Sequence, residues 1–246
     1  MATYKAGTVL RDVRVLMDMN PKSQPLADIE DIDTLTISDL IASKIVEGVA
    51  LAESAAPLNK LQGVDFSPSV VGYEIDLGFT KRTSTSATES STDDTDSSEE
   101  SSDGTVMCIN KDLSGAITLP TDFMRLIAFK MSSWHKAVYE AVSADSAEYA
   151  KQSSPYIRGT VRRPVVAIVP HSTGLKMEFY SAASSDDTVE IAQYRPYPVI
   201  DGQSIDISKD CYHASLYFIA SLVYSSLSEV QMAESMANIG AELLKA

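Results

Sequence analysis

The chain has 246 residues, 44% of them hydrophobic and 22% charged, which are the proportions of an ordinary globular protein with a substantial core. Its net charge of −14 argues against a nucleic-acid reader, because phosphate backbones repel so acidic a surface. We expect neither a signal peptide nor a membrane span, since no apolar leader and no run of about 20 apolar residues occurs. Cys108 and Cys211 show no metal-ligand spacing and fit a reducing compartment.

The first predicted helix begins at Ser38, whose hydroxyl can cap it, and ends before Pro57. Its apolar residues recur every three or four positions, at Ile41, Ile45, Val49 and Ala52. After this helix, "YEIDLGF" (73–79) alternates apolar with polar residues and predicts a half-buried strand.

Residues 83–104 form a low-complexity tract, "TSTSATESSTDDTDSSEESSDG", with thirteen Ser or Thr and seven acidic residues. Such a segment buries too little apolar surface to offset its chain entropy, so we expect it to be disordered. The sequences on both sides predict strands. The tract is therefore interpreted as a long insert in a connection between two strands, where added length costs little.

The stretch "LPTDFMRLIAFKMSSW" (119–134) follows a predicted strand and holds the only tryptophan. Pro120 to Asp122 predict a corner between two strands, with the Asp122 carboxylate accepting from the turn backbone. Arg125 is a charge within an apolar run, so we expect it to meet a carboxylate of its own chain or of a neighbouring subunit. A shorter helix is predicted over 136–151.

Three further strands, "PVVAIV", "LKMEFY" and "TVEIAQY", are predicted to form an antiparallel meander. Two helices follow. Ser208 begins the first, and Ser226 with Glu229 forms a capping box at the start of the second. The second helix carries an apolar stripe of Met232, Met236, Ile239 and Leu243.

Together these elements predict an α+β fold, in which N- and C-terminal helices form a helical bundle around a small antiparallel β region in the middle. We predict a single domain over 1–246. Its segments are an N-terminal arm and helix (1–62), strands (63–82 and 105–135), the disordered acidic insert (83–104), a helix and β meander (136–207), and C-terminal helices (208–246).

No motif in the sequence indicates an active site. His135, His171 and His213 lack a nucleophile motif around them, and no Gly-rich phosphate loop, H-E-x-x-H or C-x-x-C is present. We therefore assign no catalytic, cofactor-binding or metal-binding residue, and we expect no cofactor.

The segment "RGTVRRP" brings Arg158, Arg162 and Arg163 close together in a chain with few basic clusters. Two interpretations stay open. The segment is either a solvated edge or, together with Arg125, part of a subunit interface, where arginine is favoured for bidentate pairing with carboxylates.

The order of these motifs resembles the head-to-tail adaptor proteins of tailed phages. The resemblance rests on "LP-x-DF-x-RL", a hydrophobic strand, a Trp and a helix, followed by "Y-x-x-Q…RG-x-x-RRPVV", which begins here at Tyr149 and Gln152. It covers roughly residues 35–246, and the acidic insert is not part of it. The family includes tail tubular and tail-accessory factors of short-tailed phages and the ring proteins of crAss-like phages.

The resemblance implies a non-enzymatic structural virion protein that forms a ring, typically a dodecamer, at the portal or neck. Such a ring extends the DNA channel, helps to retain the genome and provides a platform for tail proteins. Its expected partners are further copies of itself, the portal protein and other neck or tail proteins. DNA only passes through the channel, and no membrane is involved. The expected location is the virion, assembled in the host cytoplasm.

In related adaptors the C-terminal segment docks on the portal, so the resemblance assigns portal docking to Met232, Met236, Ile239 and Leu243. The alternative from the residues alone is that this stripe packs on the chain's own helices. Two other functions stay open: a minor capsid, decoration or other phage binding module, and an enzyme with dispersed catalytic residues.

Overall fold

The structure is a computed structural model that describes residues 1–18, 37–67, 74–76, 113–154, 156–172, 174–183 and 187–245. The chain divides into two compact units. The first comprises Met1–Ser69, Pro120–Phe129 and Ile191–Ala246, and the second comprises Val70–Leu119 and Lys130–Glu190. The predicted acidic insert (83–104) lies outside the described residues.

The helices are α1 (Ala6–Asp18), α2 (Ile37–Ala55), α3 (Ala147–Lys151), α4 (Tyr212–Ser226) and α5 (Val230–Lys245). The strands are β1 (Ala2–Lys5), β2 (Val64–Asp65), β3 (Glu74–Asp76), β4 (Leu113–Thr118), β5 (Phe123–Met131), β6 (Val142–Ser143), β7 (Val166–His171), β8 (Gly174–Ala182), β9 (Val189–Pro196), β10 (Ile200–Asp201) and β11 (Ser204–Ile207).

The core of the first unit lies among α1, α2, α4 and α5. Apolar residues spaced three or four apart place one face of each helix inward, as in Val9, Val13 and Met17 of α1, which are fully buried. Ile205 and Ile207 of β11 join the same cluster. The N-terminal strand–helix segment, β1 and α1, therefore belongs to this core, whereas the sequence had predicted only an arm there.

Two small sheets complete the first unit. One has the strand order β1-β11-β10, with antiparallel pairing that aligns Tyr4 with Ile205. The other has the order β2-β9-β5, with Val64 aligned with Tyr194. Tyr4 also stacks on Tyr212 of α4, with ring centroids 4.2 Å apart, so aromatic packing ties the first sheet to the helices.

The second unit contains a five-stranded sheet of order β3-β4-β8-β7-β6, with β6 parallel to β7 and the other neighbours antiparallel. Met177 and Phe179 of β8 are fully buried on one face. The edge of the Trp134 ring meets Phe179, and its indole N–H donates to the carbonyl of Ser181 at 2.8 Å. The only tryptophan thus anchors the chain that follows β5 to the core of this sheet.

The prediction of a mixed α and β fold is confirmed, but a helical bundle with a small β region does not match the structure. Strands of the described residues form three separate sheets, and one of them has five strands. Periodicity identified most strands individually. It did not reveal how many sheets they form, because strand pairing depends on contacts between residues far apart in sequence.

Several local predictions were wrong. Helix α2 begins at Ile37, so Ser38 lies inside it and does not cap it, and α4 begins at Tyr212 and not at Ser208. The predicted meander is broken, because β8 pairs with β7 and β4 whereas β9 pairs with β2 and β5. The helix predicted over 136–151 is confined to α3, where Ser146 caps it by accepting from the N–H of Tyr149 at 3.1 Å. Ser226 is the last residue of α4 and bonds the carbonyl of Leu222, so it does not cap α5.

Candidate functional site

The most prominent exposed feature of the second unit is the loop between α3 and β7. Arg162 and Arg163 are exposed there, as the interface hypothesis requires. The same loop exposes Tyr156 by 94% and Ile157 by 60%, a combination that the sequence analysis did not single out. We call residues 156–163 the arginine loop.

A buried glutamine sets the shape of this loop. The Gln152 side chain donates to the carbonyl of Glu148 at 2.9 Å and accepts the N–H of Gly159 at 2.8 Å. Arg158, which is partly buried, donates its backbone N–H to the carbonyl of Ser154 at 3.1 Å. Because both ends of the buried amide are satisfied, Gln152 ties α3 to Gly159 in the middle of the loop.

A close backbone approach and a tight turn complete the loop. A Cβ atom at Gly159 would lie 3.0 Å from the backbone nitrogen of Val165, so a larger residue would force the two segments apart. Thr160 and Arg163 exchange two backbone hydrogen bonds, of 3.0 and 2.8 Å. The spacing "Q…RG-x-x-RR" therefore corresponds to a defined loop.

The exposed side chains of the arginine loop are those found at protein–protein interfaces. Tyrosine and arginine are enriched there, and they dominate binding energy where they become desolvated. The hydrogen bonds of the Ile157 and Arg158 backbone to Ser154 limit the conformational freedom that this part of the loop loses when a partner covers it. The loop is therefore our candidate functional site, with protein binding as its chemistry.

Arg125, the fourth predicted interface arginine, lies in the first unit. One of its guanidinium nitrogens donates to the carbonyls of Ser54 at 2.9 Å and Ala56 at 2.7 Å, at the end of α2. Among the described residues, the partners of Arg125 are therefore carbonyls and not the expected carboxylate, and a carboxylate of a neighbouring subunit stays a prediction. A cation at a helix C-terminus satisfies carbonyls that have no helical partner and opposes the negative end of the helix dipole.

The predicted stripe of the C-terminal helix divides into buried and exposed residues. Met236 is buried and Met232 is half-buried against the helical core. Ile239 and Leu243 are 40% and 38% exposed. Only the second pair is available to a partner without a change in the packing of α5.

A fully buried ion pair in the first unit was missed by the sequence analysis. Arg195 of β9 donates to the Glu53 carboxylate of α2 at 2.5 Å and to the carbonyl of Asp206 at 2.8 Å. The other Glu53 oxygen accepts the N–H of Ser208 at 2.8 Å. The available signal was the position of Glu53, one helical turn after the buried Val49. The pair joins α2, β9 and the end of β11.

Asp187 is a buried carboxylate that organises the turn after β5. It accepts from the hydroxyls of Ser132, at 2.5 Å, and Ser133, and from the backbone N–H of Ser133 at 3.1 Å. Burial raises the pKa of Asp187, but the donors from Ser132 and Ser133 outweigh it, so the pKa lies below its ordinary value. These bonds hold the backbone next to Trp134.

The Glu178 carboxylate of β8 contacts three polar side chains, which belong to α3, β7 and β8. It accepts from the hydroxyls of Tyr180 and Tyr149 and lies 3.2 Å from Nε2 of His171. Burial, followed by the hydrogen bond to Glu178, raises the pKa of the Tyr180 hydroxyl. Tyr180 is therefore a donor and not a nucleophile at neutral pH, and the arrangement cross-links α3, β7 and β8.

Cys211 is buried in the first unit beside the carbonyl of Lys60. Burial, followed by the nearby Glu53 carboxylate, raises the pKa of its thiol to about 11. The thiol is therefore protonated at neutral pH and unreactive. Cys108 lies outside the described residues.

Within the described ranges, no three His, Cys, Asp or Glu side chains lie close enough to hold a metal ion. None of the helices in the described part of the chain is both long and apolar enough to cross a membrane. Comparison with protein-family models and with curated proteins finds no match to this chain.

Proposed function

We propose that this protein is a structural ring subunit at the portal or neck of a tailed phage. The ring would extend the DNA channel, help to retain the genome and provide an attachment platform for the tail. The observation that carries the proposal is the arginine loop, in which the "Q…RG-x-x-RR" spacing of the adaptor-like pattern corresponds to a hydrogen-bonded loop that exposes Tyr156 and Ile157. A loop of this kind suits repeated contacts between subunits.

The charge of the chain supports a channel-lining role. A net charge of −14 repels the phosphate backbone, so DNA can pass through such a ring without being held. The exposed Arg162 and Arg163 are the exception to this acidic charge, and a protein partner with carboxylates explains their exposure better than DNA does.

In this proposal the C-terminal helix faces the portal protein or a neighbouring subunit. Because Met236 is buried, the docking surface of α5 is reduced from the predicted four residues to Ile239 and Leu243, with Met232 at its margin. Ile239 and Leu243 lie on the outer side of α5. Because α5 packs closely on α4, this side can bind a partner without a change in the backbone.

The test is electron microscopy of the full-length protein mixed with the portal protein of the same phage. We expect a closed ring with rotational symmetry, seated on the portal. Portal protein must be present, because assembly can depend on it. A chain that stays monomeric and unbound in every assembly condition contradicts the proposal. Location on the shell of the particle supports the minor capsid or decoration alternative.

A further inference from the structure

The outer side of α5 carries a two-row surface that complements the arginine loop. Glu234, Asn238 and Glu242 are exposed and spaced four residues apart, so they form one row along the helix. Ile239 and Leu243 form an apolar row beside it. The two carboxylates lie about 12 Å apart along the axis. We call these five residues the acidic strip.

The arginine loop presents the matching chemistry on a different part of the chain. Tyr156 and Ile157 offer an exposed apolar surface, and Arg162 and Arg163 offer two guanidinium groups next to it. Apolar side chains of the loop can cover the apolar row while guanidinium groups pair with the carboxylate row. The acidic strip belongs to the first unit and the arginine loop to the second, so the two surfaces are compared by their chemistry alone.

We propose that the arginine loop of one copy binds the acidic strip of the next copy. This inference rests on the proposed ring function, for which it names the subunit contact. Because the two surfaces differ, the contact is heterologous, and such contacts generate rings when their rotation closes. A second copy is the favoured occupant because one chain supplies both complementary surfaces.

A second apolar and acidic surface on the first unit fits the loop less well. Tyr197 and Val199 are 46% and 63% exposed near Asp201 and Asp122, but the Asp122 carboxylate already accepts from the hydroxyl of Tyr194 at 2.9 Å, which leaves Asp201 for two arginines. Glu242 of the acidic strip has an exposed partner, Lys245, at 2.8 Å. Such exposed pairs contribute little, so Glu242 can exchange this partner for an arginine.

The experiment uses two charge-reversed variants of the full chain, alone and mixed. The loop variant is Arg162→Glu with Arg163→Glu, and the strip variant is Glu234→Lys with Glu242→Lys. Each variant alone places like charges at the contact, so we expect self-association to weaken at least about tenfold. Mixed in equal amounts, each loop again meets an opposite charge, and assembly should return with the two variants alternating.

Native mass spectrometry and electron microscopy, with portal protein present, follow both assembly and its composition. Circular dichroism checks that each variant is folded, and Asp201→Lys is the matched control that should assemble like the wild type.

The inference is overturned if either variant assembles normally alone, or if mixing fails to restore assembly. If both variants still form rings on the portal, the inference is wrong and the proposed function stands. If the mixed variants form alternating assemblies that are not seated on the portal, the inference stands and the proposed function is contradicted. Loss of portal binding without loss of self-association assigns the strip to the portal and overturns the inference.

Discussion

Arg195 joins α2, which is far away in sequence, to two neighbouring segments of the chain, β9 and β11. Its guanidinium is buried and bonds the Glu53 carboxylate and the carbonyl of Asp206. An ion pair removed from water gains little over apolar packing, but the loss of one partner leaves a buried charge without compensation. Single substitutions at this pair are therefore the sharpest residue-level test of the first unit.

We expect Arg195→Met to lower the free energy of unfolding by about 3–5 kcal/mol, because Glu53 then stays buried without its cation. Urea unfolding followed by circular dichroism measures this difference. Arg163→Met, on the exposed loop, is the matched control and should stay within about 0.5 kcal/mol of the wild type. Equal stability of the two variants would contradict the buried pair.

Asp187 makes a pH-dependent contribution to stability. Because its pKa is lower in the folded protein than in the unfolded chain, the contribution is fully present above the unfolded value of about 4 and is lost as pH falls through the folded value. Asp187→Asn removes the charge that Ser132 and Ser133 stabilise. We expect the variant to be less stable by about 1.5–3 kcal/mol at pH 7.

Thermal unfolding at pH 7 and pH 3 tests this expectation. The difference between wild type and Asp187→Asn should narrow at pH 3, below the unfolded value of about 4, because the unfolded wild-type chain then binds a proton more readily than the folded protein does. Glu140→Gln, at an exposed position of the same unit, is the control and should track the wild type at both values. A constant difference across this range would mean that Asp187 does not titrate in the way proposed.

The packing of α2 against α4 depends on a glycine. A Cβ atom at Gly48 would lie 2.9 Å from the backbone Cα and N atoms of Ile219, closer than real Cβ contacts come. These are backbone atoms of α4, so no rotamer change can relieve the contact. Glycine in a helix is ordinarily a cost, and here it allows the two helices to approach.

We expect Gly48→Ala to lower the free energy of unfolding by about 1–3 kcal/mol, since the overlap outweighs the better helix propensity of alanine. Gly7→Ala is the matched control, because no atom lies within 4 Å of a Cβ there. It should be neutral or slightly stabilising. Chemical denaturation of both variants measures the contrast, and a stable Gly48→Ala variant would show that α2 and α4 pack less closely.

The assignment of the C-terminal helix shows how a pattern can identify an element and miss its orientation. The large apolar residues predicted one stripe of Met232, Met236, Ile239 and Leu243, to be used for portal docking or for packing on the chain's own helices. The residues that are buried are Ala233, Met236, Gly240 and Leu244. A Cβ at Gly240 would lie 3.1 Å from the Phe218 ring, so small residues face α4 and let the helices approach. This rotation leaves Ile239 and Leu243 available to a partner.

For the whole molecule, the long acidic insert is the feature that most affects charge. Its seven acidic residues supply half of the net charge of −14. The strands on either side, β3 and β4, are antiparallel neighbours, with Asp76 aligned with Ser114. The chain therefore leaves and re-enters the sheet at adjacent positions, so the connection needs little length.

We expect deletion of residues 83–104 to leave the fold intact, because six residues before the tract and eight after it still connect β3 to β4. Differential scanning calorimetry of the deletion variant should give a melting temperature within about 4 °C of the wild type. A larger fall would show that the tract packs against the protein. A scrambled tract of the same composition is the control for charge alone.

Several local properties of this protein were determined by its sequence alone. Helical spacing and Pro57 placed α2, whose last residue is Ala55, a continuous apolar run placed β7, and alternation placed β8. The mixed α and β fold class and the excess of acidic over basic residues also followed from the sequence. Turn and strand chemistry also located the corner at Pro120–Asp122, although the Asp122 carboxylate accepts from the hydroxyl of Tyr194 and not from the turn.

Only the tertiary structure decided which of these elements meet. It paired β9 with β2 and β5, buried Glu53 against Arg195, and turned Gly240 of α5 towards α4. The pairing of β9 and the Glu53–Arg195 ion pair join segments that are distant along the chain, so local patterns carry no signal for them. The orientation of α5 depends on a small residue, Gly240, whose hydrophobicity does not mark it as buried. The arginine loop combines both kinds of information, because its arginines were visible in the sequence and its rigid exposed shape depends on Gln152.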